Sequence, residues 1–69
     1  MVLVYSSNKS IEKDYKGKEM NALICRKKEN GLFVLRDTMK GFRTSPIVAI
    51  KSGNKSLTIV TKNNIYKFA

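Results

Sequence analysis

Sixty-nine residues carry fourteen Lys and Arg against five Asp and Glu, a formal charge of +9, with one cysteine and no histidine. A chain this short buries only about 60% of its unfolded surface, so it is expected to form a single domain, 1–69, with a thin core. Cys25 alone cannot form an internal disulfide, and without histidine the commonest zinc ligand and general base are missing. Self-association is the remaining support, and a homo-oligomer is expected.

The N-terminal "MVLVYS" is β-branched and aromatic and predicts a short strand. Its apolar run is too short for a signal peptide or for the roughly 20 residues of a membrane helix. A lone cysteine suits a reducing compartment. These features together predict a cytoplasmic protein with no membrane partner. "SNKSIEKDYKGKEM" follows, the most polar stretch. It predicts a loop over residues 7–19 with one helical turn near residues 10–16, capped by Ser10 and stopped by Gly17.

"NALICRKKENGLFVLRD" is the clearest unit. Asn30-Gly31 predicts a two-residue type I′ turn, which needs positive φ at both central residues. The arms are then Asn21 to Lys28 and Leu32 to Asp37. Leu23, Cys25, Lys27 and Glu29 share a face with Leu32, Val34 and Arg36. Ala22, Ile24, Arg26 and Lys28 share the other with Phe33, Leu35 and Asp37. Both faces are apolar at the hairpin base and charged at its tip, a pattern suited to arms buried on both sides at one end.

"TMKGF" breaks the pattern at Gly41, and "RTSPIVAIK" predicts an edge strand with Pro46 at its start. "SGN" turns into the alternating "KSLTIVT", and "KNN" turns into "IYKFA". In that last strand Tyr66 and Phe68 share one face and Ile65 and Lys67 the other. It would be the closing stave of a barrel or an edge open to another subunit. Strands at about 10-residue spacing predict an all-β fold: a small five- to six-stranded meander or an SH3/OB-like barrel.

Catalytic chemistry has little to work with. The carboxylates Glu12, Asp14, Glu19, Glu29 and Asp37 lie among lysines and arginines in loops and turns, which reads as solvated surface charge and not as a catalytic pair. Cys25, in an apolar arm, reads as a buried structural thiol. Neither phosphate-loop fingerprint is present. The chain is read as a non-enzyme with no cofactor and no metal.

What remains is a set of cations. Arg26-Lys27-Lys28 occupies one hairpin arm, Lys13, Lys16 and Lys18 crowd the polar loop, Lys51 and Lys55 flank one turn, and Lys62 and Lys67 bracket the last. Such side chains grip phosphates without reading bases. Tyr15, Phe42 and Tyr66 stand near them as candidate stacking surfaces. In "FRTSP", Arg43, Thr44 and Ser45 offer a guanidinium fork and two hydroxyls for a phosphate or base edge, or else simply begin an edge strand. The candidate nucleic-acid or anion-binding set is therefore Arg26, Lys27, Lys28, Arg43, Thr44, Lys51, Lys55, Lys62 and Tyr66.

Thr44-Ser45-Pro46-Ile47 to Ile50, followed by Thr61-Lys62-Asn63-Asn64-Ile65-Tyr66, resembles the C-terminal part of small, mostly uncharacterised bacteriophage and phage-derived β proteins. Those carry "T-S-x-hydrophobic", a short turn and "T-x-N-x-x-Y". The resemblance implies an early-expressed accessory protein acting on host machinery or host defence, in the host cytoplasm. Three functions fit these features. The first, and the one expected, is a nucleic-acid-binding module using the Lys/Arg-rich loops. The second is an oligomeric anti-defence sponge that sequesters an anionic nucleotide signal in subunit-boundary pockets lined by Arg43 and Thr44. The third is a protein–protein inhibitor docking on an acidic host surface.

Overall fold

The computed structural model describes residues 1–69. In chain order the elements are β1 (Leu3–Ser6), α1 (Lys9–Tyr15), β2 (Leu23–Arg26), β3 (Phe33–Asp37), β4 (Phe42–Arg43), β5 (Ile47–Gly53), β6 (Ser56–Thr61) and β7 (Ile65–Phe68). The strands form two antiparallel sheets, β1-β7-β6-β5 and β2-β3-β4. The all-β class holds. The strands number seven, not five or six, and they form two separate sheets instead of one closed barrel.

The core lies between these sheets. Leu3, Ile59, Tyr66 and Phe68 from the four-stranded sheet meet Leu35 and Phe42 from the three-stranded one, with Met20 and Ala22 from the segment between them. Tyr66 and Phe68 bury their shared face, as the alternation of "IYKF" predicts. The strand that carries them is neither a barrel stave nor an edge: β7 lies between β1 and β6. The edges of its sheet are β1 and β5. The outer edge of β1 is covered by the chain leaving α1, where Gly17 N–H donates to Leu3 O at 2.9 Å and Met20 N–H to Met1 O at 2.7 Å.

The polar loop forms more structure than one turn. α1 is seven residues long and its cap is Asn8, not Ser10. Asn8 Oδ1 accepts from the amides of Ser10 and Ile11 at 3.1 and 3.2 Å, satisfying two donors of the first turn. Glu12 reaches back to accept the Ser6 amide at 3.0 Å. That hydrogen bond, helped by Lys9, holds its carboxyl below its ordinary pKa against the opposing effect of desolvation. Gly17, at φ +81°, ends the helical segment as expected.

The β2–β3 hairpin keeps the expected faces but not the expected turn. Cys25 stands opposite Val34 and Arg26 opposite Phe33. Lys27 N–H donates to Leu32 O and Gly31 N–H to Lys27 O, each at 2.8 Å, so the loop has four residues, Lys28 to Gly31. Only Gly31 has positive φ (+71°), whereas a type I′ turn requires two such residues. Asn30 instead spends its side chain on the backbone, accepting the Leu32 amide at 2.9 Å. Moving the pairing by two residues preserves parity, which is why the faces survive. Burial on both sides of the arms is only half met. Val34, Leu35 and Asp37 are buried, but Leu23, Ile24 and Phe33 are exposed.

Asp37 also departs from the solvated carboxylate expected of it. It is buried, and its oxygens accept the amides of Asn21 at 3.0 Å and Lys40 at 3.2 Å. It therefore pins both ends of the chain that flanks β3, a structural use of charge.

Candidate nucleic-acid interface

Arg36 on β3 stands directly opposite Arg43 on β4. Cross-strand partners project from the same face with Cβ atoms about 4.5–5.5 Å apart, and like charges so placed repel. The acid next in sequence, Asp37, projects to the other side of the strand and is committed to backbone amides. The two salt bridges of the molecule, Met1 N-terminus–Glu19 and Lys9–Glu12, lie elsewhere. Neither arginine of the pair is in a salt bridge.

The hairpin adds to this pair. Cys25, Arg26, Lys27, Lys28, Glu29, Val34, Arg36 and Arg43 line one cleft of about 270 Å³. Five of these eight residues are cations and one is an acid, so the cleft focuses positive potential. A second hollow, of about 400 Å³, is walled by Asp37, Thr38, Gly41 and Phe42 and shares Arg36 and Arg43 with the first. The two form a track from the hairpin tip to the β3–β4 turn, with the arginine pair at the junction. Val34 contributes an apolar wall: it is buried yet stands apart from the main core cluster, on the strand face opposite Leu35.

One guanidinium is preset. Arg26 Nε donates to Gly31 O at 3.2 Å, which fastens the side chain across the hairpin loop. A Cβ at position 31 would come within 3.2 Å of Arg26 Nη2, so Gly31 serves both the loop's left-handed backbone and the close approach of this arginine.

Four of the nine expected site residues, Arg26, Lys27, Lys28 and Arg43, come together here. Lys51, Lys55 and Lys62 are exposed but belong to β5 and the turns of the other sheet, outside the cleft. Thr44 is withdrawn from any ligand. It is buried, and its hydroxyl accepts the Leu35 amide at 3.0 Å and donates to Ser45 O at 2.9 Å. Tyr66 is withdrawn as well, being buried in the core, where desolvation raises the pKa of its hydroxyl and a hydrogen bond with Asn64 partly offsets the rise.

Of the proposed stacking aromatics, Phe42 and Tyr66 are core residues and Tyr15 packs half-buried against them. Tyr15, Phe42 and Tyr66 form a chain of edge-to-face contacts with centroids 5.4 and 5.6 Å apart. The aromatics left exposed are Tyr5 and Phe33. Tyr5 already has the ammonium groups of Lys9 and Lys67 at 4.9 and 5.5 Å from its ring centre. Cys25 is partly exposed and lines the cleft instead of lying in the core.

Arg36 is the functional candidate that reading the sequence missed. Its alternation with Val34 put it on the right face. Its partner strand, however, is the two-residue β4, too short to show periodicity. Searches against protein-family models, curated proteins and solved structures find no match for this chain.

Proposed function

We propose that the protein is a non-enzymatic nucleic-acid-binding module that holds the phosphate backbone along the cationic track of β2, β3 and β4. The observation that carries this reading is the Arg36–Arg43 pair, like charges in register on adjacent strands, neither of them in a salt bridge. Such an arrangement works against folding and gains its stabilisation when an anion bridges the pair. Lys27 and Lys28 extend the contact towards the hairpin tip, and Arg26 is fixed in advance by Gly31. No exposed aromatic lines the cleft, so the contact is with phosphate and sugar, tolerant of sequence and steeply dependent on salt. The accessory role of the phage type rests on the resemblance of residues 42–68 alone. The sponge reading keeps Arg43 but loses Thr44, whose hydroxyl is already used.

The test is anisotropy titration of labelled duplex and single-stranded oligonucleotides between about 50 and 200 mM salt. The logarithm of affinity is expected to fall linearly with the logarithm of salt. Arg36→Ala with Arg43→Ala should weaken binding to every sequence and reduce the salt slope by about 2. Neutralising Arg26, Lys27 and Lys28 together should also weaken it. A parent protein that binds neither oligonucleotide at the lowest salt refutes the reading. A parent that binds while both variants bind equally well moves the site away from this cleft.

A further inference from the structure

The four-stranded sheet has two edges of opposite character. The β1 edge is short, irregular between Leu3 and Tyr5, and covered by residues 16–20. The β5 edge is seven residues long, and none of the hydrogen bonds outside the sheet ladders involves a group of residues 48–53. Its only charge is Lys51. A long edge with a single charge is the kind of strand that recruits another strand.

The side chains point the same way. Val48 is 66% exposed and Ile50 47% exposed. Ile50 stands opposite the fully buried Ile59, so it belongs to the core-facing side of the sheet but lies beyond the reach of the core. Phe33, 51% exposed, and Ile24 share a face with buried Leu35 on the other sheet, whose β3 packs against β5. Both sheets therefore run out of covering material at the same side. The molecule's surface of 4817 Å² is about 450 Å² more than a monomer of 7.8 kDa ordinarily exposes. That excess is about half of the roughly 800 Å² each partner contributes to a stable interface.

We propose that β5 is a self-association edge, on which a second copy of this chain lays its own β5 antiparallel and joins the two four-stranded sheets into one of eight strands. The strand's own register selects the symmetry. With the two-fold axis at Ile50, each Ile50 meets its copy, and Lys51 faces the small Ala49. Centring the axis on Lys51 would oppose two like charges. A slip of one residue would turn the two apolar faces to opposite sides. The irregularity between Ile47 and Ala49 confines regular pairing to the stretch around this axis. A net charge of +9 on each copy opposes association but is screened beyond about 8 Å at physiological salt, so the dimer should tighten as salt rises. That is the reverse of the salt response expected of nucleic-acid binding, and the inference stands or falls independently of that reading.

Sedimentation equilibrium of the full chain tests it. Twice the monomer mass is expected at tens of micromolar, with dissociation falling as salt is added. Ile50→Lys, which sets two ammonium groups face to face at the axis, should weaken the dimer at least tenfold. Val4→Lys on the covered edge should leave it unchanged. Amide exchange of the unsubstituted protein gives a second measurement: the amides of residues 48–52 should slow as concentration increases. Monomer mass at all accessible concentrations overturns the proposal. So does a dimer that survives Ile50→Lys, or one whose β5 amides exchange at a rate independent of concentration. Loss of oligonucleotide binding without loss of the dimer would overturn only the proposed function.

Discussion

Ser45 Oγ donates a hydrogen bond to Thr61 Oγ1 at 2.9 Å across sixteen residues of chain. Around that bond the two signature stretches of the C-terminal third are tied together. Thr61 Oγ1 accepts the Asn64 amide at 3.0 Å and donates to Asn64 O at 2.9 Å, while Lys62 N–H reaches Pro46 O at 2.9 Å. The "TSP" and "TKNNIY" stretches thus join the approach to β5 to the β6–β7 turn. Their hydroxyl and amide groups are spent on the fold.

The network makes a quantitative prediction. Thr61→Val keeps the shape of a buried side chain but leaves the Asn64 amide and the Ser45 hydroxyl without their shared partner. Unsatisfied groups of this kind cost about 1–3 kcal/mol. For a domain of this size each kcal/mol lowers Tm by roughly 4–8 °C. Ser45→Ala, which removes the more exposed partner, should cost less, about 1 kcal/mol. Thermal melts of the two variants should rank in that order.

The arginine pair predicts that stability and binding change in opposite directions. Removing either Arg36 or Arg43 relieves a like-charge cross-strand contact worth about 0.2–1 kcal/mol. Each single alanine variant should therefore unfold at equal or higher urea than the parent, while binding oligonucleotide less tightly. If the pair were structural, both measurements would fall together.

This distinction explains what could be read from the chain and what could not. Alternation showed which residues of "IYKF" and of the hairpin arms share faces, because parity survives errors in turn length. The four-residue loop after Lys27 was hidden because Asn30-Gly31 satisfies the shorter turn equally well by composition. Asn8 was hidden because Ser10 is an equally good cap by residue type. The choice was made by Glu12 gripping the Ser6 amide, a contact outside the helix. The site was half legible: Arg26, Lys27 and Lys28 form a visible run, but Arg36 becomes cationic surface only when β4 brings Arg43 beside it. Thr44 and Tyr66 look like ligand-binding side chains in sequence and are spent on tertiary contacts.

At the β5–β6 turn Lys55 is the only residue other than glycine with positive φ, at +61°. A side chain in that region costs about 1–2 kcal/mol, and glycine's extra unfolded-state freedom returns only part of the difference. Lys55→Gly should therefore stabilise the protein by about 0.5–1 kcal/mol, read as a higher urea midpoint with an unchanged slope. Since Lys55 lies outside the cationic cleft, oligonucleotide affinity should drop only by its small share of the overall charge.

The lowered pKa of Glu12 sets a pH dependence with a definite sign. Its carboxylate is favoured in the folded state by the Ser6 amide, so folded Glu12 titrates below the ordinary value of 4.5. The stabilisation is fully present above that ordinary value. It is lost as pH falls towards and through the lower folded value, because the unfolded chain takes up the proton first. Glu12→Gln should destabilise the protein near neutral pH and flatten this part of the acid-unfolding curve. A variant whose stability keeps the parent's full pH dependence would place the acid-sensitive group elsewhere.

Removal of Ile65 to Ala69 distinguishes an interior strand from a dispensable tail. β7 hydrogen-bonds to β1 on one side and to β6 on the other, and Ala69 exchanges backbone bonds with Val2 at 2.8 and 3.0 Å. The deletion takes away Tyr66 and Phe68, two of the eight buried residues of the core cluster. Loss of a single large aromatic from a core costs about 3–5 kcal/mol, comparable with the whole stability of so small a domain. The truncated chain should lack cooperative unfolding and dispersed amide resonances at every concentration tested. A truncated chain that folds and merely changes its mass would mean that β1 can pair with β6 directly. The central position of β7 would then not be what holds the sheet together.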